Sequence, residues 1–500
     1  MEAMELEPML LLVSAEGDGD DDVTKENDSD NDNDNHHHHH LAEEVVPSSS
    51  ISYWQLLRDN RPFTLYLLSY ITNHTGEWLT YLASLTALHD MGSSSSSSTL
   101  IGALVAVRLL TNVAASPWGG ALADARDRRH VMIVLDLVGA GTAWVFVAAV
   151  YVQSPTLIFV ATALQEIESG LYEPSRSAMV PLLCPSSSPG QLEKATLLTG
   201  MAWSAVAAVG SATGGVLVSW LGMQGCFLVD SATYLVSAWL MTCVGGQWNV
   251  AVDASKRNND EKNQQSTQET PWSMVVSGWT YLRATTWGPL VLLKFSVLWL
   301  TMDVLMVDFA NRTGNTDPEQ APMRMGALFG AVGVGCLIGP PLVDQFTSLQ
   351  RPATVQVAAV AALGLSTMAC ALISLNLLGN PLWLLCCFTV LRSFGVAVLW
   401  IQASLLLQEL SAPEYLGRVL SMDYGLALLG EAANAIVTGR LRDAAHWSPE
   451  QVCAWLATLG FFFTAAWTVY TCRGGGAMSL SPAAKKASEP RQTDEDEPTE

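Results

Sequence analysis

Carboxylates recur in stretches of this chain that are otherwise strongly apolar. Glu77, Asp136, Glu166, Glu168, Asp303, Asp308 and Glu431 each fall inside a long hydrophobic run, and so do the cations Arg108, Lys294 and Arg392. An ionisable group in a hydrocarbon setting is costly, and it persists where it pairs, meets a polar solute or carries a proton. The chemistry open to such carboxyls is proton uptake and release as their access to water changes. Glu77, Glu166, Glu168, Asp303 and Arg392 are the candidates for proton coupling or solute contact. Glu77 and Glu166 lead, because each lies near the middle of its run. The competing reading for each is a buried pair that only holds helices together.

Other chemistries lack their residues. The chain has no P-loop pattern, which argues against nucleotide-driven work, and no CxxC or Cys/His spacing of a metal site. No cofactor, no metal and no enzymatic activity are expected. Cys226, Cys336, Cys386 and Cys387 sit in apolar runs, where a thiol behaves as a small hydrophobe. Basic patches for nucleic acid are missing.

The elements that must position these groups are membrane-spanning helices. Only 14% of the 500 residues are charged, against roughly 25% in soluble proteins. The net charge of -22 is concentrated before residue 50, in segments such as Asp18 to Asp34. Residues 1–50, with the His36–His40 run, are too polar to fold. Apolar runs long enough to cross a bilayer follow at 63–88, 99–122, 131–152, 156–180, 195–220, 223–244, 288–311, 323–344, 353–376, 381–408, 416–439 and 450–472. The expected fold is therefore an all-α polytopic membrane protein with twelve transmembrane helices. Its two six-helix halves, 51–244 and 287–472, flank a polar linker at 245–286, and a polar tail occupies 473–500. Paired six-helix halves are an arrangement that places a binding site near the midplane between them.

Charge asymmetry orients the spans. Arg58, Arg61, Arg126, Arg128, Arg129, Lys194, Lys256, Arg257, Lys262, Arg283, Arg351, Arg418 and Arg473 fall on one side if the spans alternate, and Arg312, Arg324, Arg440 and Arg442 fall on or near the other. The positive-inside rule makes the first side cytoplasmic, with both termini there. A sequon at Asn311 falls on the other side, close to a span. The acidic dileucine pattern from Glu7 to Leu12 suggests a vacuolar or endosomal address as the alternative to the plasma membrane.

Between the second and third spans lies Gly119-Gly120-Ala121-Leu122-Ala123-Asp124-Ala125-Arg126-Asp127-Arg128-Arg129. Its Gly120-x-x-x-Asp124 followed by Arg128-Arg129 resembles the signature loop between helices 2 and 3 of the major facilitator superfamily. Asp127 departs from the pattern, since many members carry Gly there. Four further segments resemble the enterobactin-exporter-like and macrolide-efflux-like branch. They are Ser69 to Trp78, Tyr172 to Pro181, Phe227 to Tyr234, and Leu416-Gly417-Arg418-Val419. Gly210-Ser211-Ala212-Thr213-Gly214-Gly215 is similar to the helix-5 antiporter motif of exporters, with Ser211 where that motif has Pro. Glu166 occupies the place, four before Gly170, where drug–proton antiporters carry Arg.

The resemblance implies the major facilitator fold and secondary transport of a small molecule by alternating access. It implies export as the direction and protons as the coupling ion. It assigns Gly120, Asp124, Arg128, Arg129 and Arg418 to a gating loop and its mirror. It assigns Gly210, Gly214 and Gly215 to the antiporter-like helix. The expected partners are a small-molecule substrate and the lipid bilayer; nucleic acid is not one, and the chain is expected to be a monomer. The alternatives are a uniporter or importer of the same fold, and a membrane receptor or scaffold that does not transport.

Overall fold

In the computed structural model the described residues are 52–92, 96–184, 191–246, 248, 271–285, 287–312, 320–345, 364, 381–411 and 415–472. The elements are α1 (Tyr53–Asp59), α2 (Arg61–Met91), α3 (Ser97–Ala125), α4 (Arg128–Tyr151), α5 (Pro155–Leu183), α6 (Gln191–Val244), α7 (Pro271–Ala284), α8 (Val291–Leu298), α9 (Asp303–Arg312), α10 (Ala321–Gln345), α11 (Leu382–Leu410), α12 (Leu416–Asp443) and α13 (Pro449–Cys472). The tail at 1–50, most of the linker, the run at 353–376 apart from Gly364, and the tail at 473–500 lie outside the described residues.

Local sequence sets the helix boundaries. Asn60 accepts from the Phe63 amide at 3.0 Å and Pro62 opens α2. Asp127 caps α4 by accepting from the His130 amide at 3.2 Å. Ser448 and Gln451 bond reciprocally, at 2.8 and 3.3 Å, as a capping box ahead of α13. The fifth and sixth runs form one long element, α6, interrupted at Gly222, whose φ of 69° lies in the left-handed region that glycine enters without strain.

The seventh run departs from the continuous span that its hydropathy suggests. Helix α8 ends at Leu298 and α9 begins at Asp303. Exposed backbone polar groups are not tolerated in hydrocarbon, so such a break must be satisfied inside the protein. The Asn434 amide of α12 supplies the partner. It donates to the Thr301 carbonyl at 2.8 Å and to its hydroxyl at 3.1 Å.

Packing is close because small residues let backbones meet, which is how helices associate when lipid removes the hydrophobic driving force between them. Pro174 in α5 cannot donate to the carbonyl four residues before it, that of Gly170. Helix α3 crosses at that point: a Cβ on Gly119 would stand 2.4 Å from the Gly170 oxygen. Apolar side chains such as Trp144, Val209, Leu235 and Trp239 are exposed on the outside of the bundle, as contact with acyl chains requires.

The halves meet along α3 with α12 and along α6 with α10. The α3–α12 contact is tightest at the end of the bundle away from the α3–α4 turn, called here the far end, and the α6–α10 contact runs from that end to mid-depth. A Cβ on Gly102 would stand 2.2 Å from the Ala435 oxygen, and one on Gly439 would stand 2.6 Å from the Ser98 oxygen. In the other contact, a Cβ on Gly215 would stand 2.4 Å from the Pro322 oxygen, and one on Gly333 would stand 2.2 Å from the Ala208 nitrogen. Nearer mid-depth, Leu109 and Val113 of α3 pack against Leu298, Ala427 and Leu428. The far end is therefore closed by backbone-level contact between halves.

Candidate functional site

Three helices of the first half turn polar faces onto one cavity. Helix α2 contributes Glu77, Thr80, Tyr81 and Ser84; α5 contributes Thr162, Gln165, Glu166 and Ser169; α3 contributes Leu104 and Arg108. The spacings within α2 and α5 are i, i+3, i+4, i+7, one stripe of an α-helix. The cavity is open on one side, and its free space including that opening is about 420 Å³.

Its charges are unevenly paired. Arg108 Nε donates to Glu166 Oε1 at 2.7 Å, and the Asn112 amide donates to Glu166 Oε2 at 3.1 Å. Glu166, standing where the resembled antiporters have Arg, thus receives its cation from the neighbouring helix. Glu77 has a weaker partner, His74 of its own helix, at 3.8 Å. The two leading carboxyls share one cavity, but Glu166 is held and Glu77 is loosely engaged.

Tyr81 joins this cluster to the second half. The Arg108 guanidinium lies 4.4 Å over the Tyr81 ring, and the Tyr81 hydroxyl donates to Asp303 Oδ2 at 3.5 Å. Asp303 heads α9, where the N-terminal dipole of the half-helix favours a negative charge. Glu431 of α12 and Arg392 of α11 are its charged neighbours in the second half. Arg392 is buried, and its Nε has no hydrogen-bond partner among the described residues. Tyr81 and Trp78 pack on Phe329 of α10 with ring centroids 5.7 and 6.2 Å apart, an aromatic contact between the halves at the cavity. Tyr424 of α12 is 49% exposed, with Glu166, Arg108, Glu173 and Glu431 as charged neighbours.

Other candidates sit elsewhere. Glu168 lies two residues from Glu166 and therefore on another face of α5. It is buried and accepts from the Tyr234 hydroxyl at 3.3 Å. Asp136 accepts from Asn73 at 2.9 Å and from Ser237 at 2.8 Å, joining α2, α4 and α6. Asp308 pairs with Arg442 at 2.5 Å, and Glu173 with Arg176, as their i, i+3 spacing suggests. Gly210 has ordinary contact with Trp78, Gly214 faces Leu82 of α2, and Gly215 faces α10, so the antiporter-like segment is a three-way helix contact.

In the turn between α3 and α4, Arg128 donates to the Ala123 and Ala178 carbonyls at 3.3 and 3.2 Å. Arg129 donates to the carbonyls of Met241, Thr242 and Gly246 at 2.8, 2.8 and 3.0 Å, satisfying the C-terminal end of α6. Asp127 bonds the Trp248 amide at 3.1 Å besides capping α4, so the departure from Gly is put to use. The backbone of Asp124 lies in the last turn of α3, and its side chain is outside the described residues. Arg418 donates to the Ser277 hydroxyl at 2.9 Å and so ties α12 to α7.

Two acids the sequence reading did not single out as site candidates are buried. Asp230 accepts from the Thr80 hydroxyl at 2.5 Å and lies 3.5 Å from the Gln165 amide; both donors belong to the cavity wall. Asp423 pairs with Lys294 at 2.5 Å, both almost fully buried, with Trp400 under the ammonium at 4.4 Å. Removing one partner of such a pair leaves a bare buried charge, at a cost of about 3–5 kcal/mol. Lys294→Ala should therefore lower the melting temperature of purified protein far more than Lys294→Gln combined with Asp423→Asn. Equal melting temperatures would refute a stabilising pair.

The Major Facilitator Superfamily profile matches residues 63–435. An uncharacterized MFS-type transporter of Bacillus subtilis (strain 168), YfiS, is 24% identical over 187 residues, which are 37% of this chain and 43% of that relative. The match thus spans less than half of the relative's length. Among solved structures, the nucleoside transporter NupG has 14% identity and a TM-score of 0.62, over 82% of this chain and 98% of that one. A POT family transporter in complex with 5-aminolevulinic acid has 11% identity and a TM-score of 0.65, over 84% of this chain and 97% of that one. These likenesses speak to the fold alone. The profile covers most of the helical region, and the chain belongs to the Major Facilitator Superfamily.

Proposed function

We propose that the protein is a secondary active transporter that exports a small molecule by alternating access, in exchange for protons, as a monomer. The observation that carries this reading is the charged path at mid-depth. It runs from Glu77, Glu166 and Arg108 in one half, through Tyr81, to Asp303, Glu431 and Arg392 in the other. Costly charges distributed across the meeting of two halves suit a carrier better than a scaffold. Export is favoured by the resemblance of the motifs to the exporter-like branch. In this reading the α3–α4 turn is cytoplasmic, with the termini and the linker at 245–286. The closed far end then makes this conformation inward-facing. The membrane is the plasma membrane or a vacuolar or endosomal one.

Gly120, Asp124, Arg128, Arg129 and Arg418 form the gating elements of this proposal. A Cβ on Gly120 would meet nothing within 4 Å here. Its need for glycine would arise when α12 closes over the turn in the opposite state. Gly120→Ala should then raise the melting temperature of this state, by about 1 kcal/mol of helix propensity, while slowing transport. Unimpaired transport by Gly120→Ala would remove the gating role from this position. Asp124→Asn should likewise reduce transport with normal insertion.

The test begins with a thermal-shift screen for a stabilising ligand. Uptake of that ligand by vesicles containing the reconstituted protein, with and without a pH gradient, follows. Gradient-driven accumulation is expected; binding without any transport would favour a receptor. Orientation is tested separately by a cysteine at Ser266, which should be unreachable from outside intact cells.

A further inference from the structure

We infer that Asp443 is a gating residue: from the second half it caps the N-terminus of α3 in the first half, and so holds the far end shut. The inference rests on the alternating-access reading above. Helix α3 begins at Ser97, and Ser96 at its N-cap position makes no side-chain cap bond. The first amides of a helix have no intrahelical partner and carry the positive end of its dipole. The Thr99 amide, in that first turn, donates instead to Asp443 Oδ2 at 2.6 Å. The first turn of α3 thus draws a capping carboxylate from the other half.

The placement of Asp443 fits this role. It is the last residue of α12, where a negative side chain opposes the helix dipole. The basic residue beside it, Arg442, is engaged by Asp308 and by the Trp447 carbonyl. Asp443 is 9% exposed, and its Oδ2 accepts from the Thr99 amide across the contact between halves. The crossing beneath it is glycine-built. Gly102 and Gly439 allow the backbone approach that brings the carboxylate within reach, and the Thr99 hydroxyl donates to the Gly439 carbonyl at 3.2 Å.

Helices α3 and α12 run antiparallel, with the start of α3 against the end of α12. With the far end shut, Asp443 caps α3, and the inferred opposite state releases that cap.

The experiment measures far-end separation by spin labels at Val152 and Trp383, both exposed and in opposite halves, in the full chain in lipid. The exposed native Cys243 and Cys387 are replaced beforehand. Asp443→Ala should shift the ratio of separated to closed populations roughly fivefold, the usual effect of losing an N-cap. Asp443→Asn, which keeps shape without charge, should shift it in the same direction by less. Ser96→Asp gives α3 a cap from its own half, so in that background Asp443→Ala should add less than a roughly twofold shift. Two wild-type populations whose ratio Asp443→Ala and Asp443→Asn leave unchanged would overturn the latch and leave the transport reading standing. One fixed wild-type separation under all conditions would overturn both.

Discussion

Glu77→Gln is expected to abolish accumulation of substrate against its gradient while leaving exchange of substrate at equilibrium intact. The substitution keeps the side chain's shape and hydrogen bonding but removes its ability to change protonation state. Glu77 is suited to carry the proton because its partner, His74, is 3.8 Å away, and because it lines the cavity that Glu166 and Arg108 also face. Glu166 is bound at 2.7 Å by Arg108 and at 3.1 Å by Asn112, so it has less freedom to release a proton during the cycle. Glu166→Gln should therefore weaken both folding and transport by exposing Arg108, rather than cleanly uncouple them. The two variants are compared in vesicles by concentrative uptake and by counterflow, with melting temperature as the folding control. Full accumulation by Glu77→Gln, with an unchanged pH profile, would transfer the coupling role elsewhere, and Asp303→Asn would be the next variant.

Gly102→Val should stop the cycle by preventing closure of the far end. Its Cβ alone would stand 2.2 Å from the Ala435 oxygen, a backbone atom that cannot rotate away. The helices must separate, and overpacking of this kind costs about 1–3 kcal/mol or more, enough to shift a balanced two-state equilibrium by roughly tenfold. Transport should fall at least that far, with far-end cysteines more reactive than in the wild type. Gly141→Val is the control, since a Cβ there meets nothing within 4 Å. Equal activity of the two variants would show that far-end contact is not needed for turnover.

The helical frame was legible because apolar runs of bilayer length leave few alternatives, and the described residues bear helices at eleven of the expected spans. The break at 299–302 was not legible. That segment has no Pro or Gly, and the partner that satisfies it, Asn434, lies 133 residues away. The carboxyls of the cavity could be picked out individually, since each is an anomaly in an apolar run. The stripes Glu77-Thr80-Tyr81-Ser84 and Thr162-Gln165-Glu166-Ser169 were present in the sequence as helical spacing, and they give the orientation that sets Glu166 apart from Glu168. What spacing could not supply was pairing. Arg108 with Glu166, Lys294 with Asp423, and Asp443 with the Thr99 amide join separate helices whose neighbours are fixed only by the fold.

The central claim is that the two halves alternate around the charged path. Its most direct test is paired distance measurement in lipid: one label pair at the far end, Val152 with Trp383, and one at the α3–α4 turn end, Arg126 with Ala284, all exposed positions. The account predicts two populations at each end that change in opposite directions. As acidification or Glu77→Gln shifts the balance, the far-end separation should lengthen where the turn-end separation shortens. Separations that stay fixed, or that lengthen and shorten together at the two ends, would contradict it.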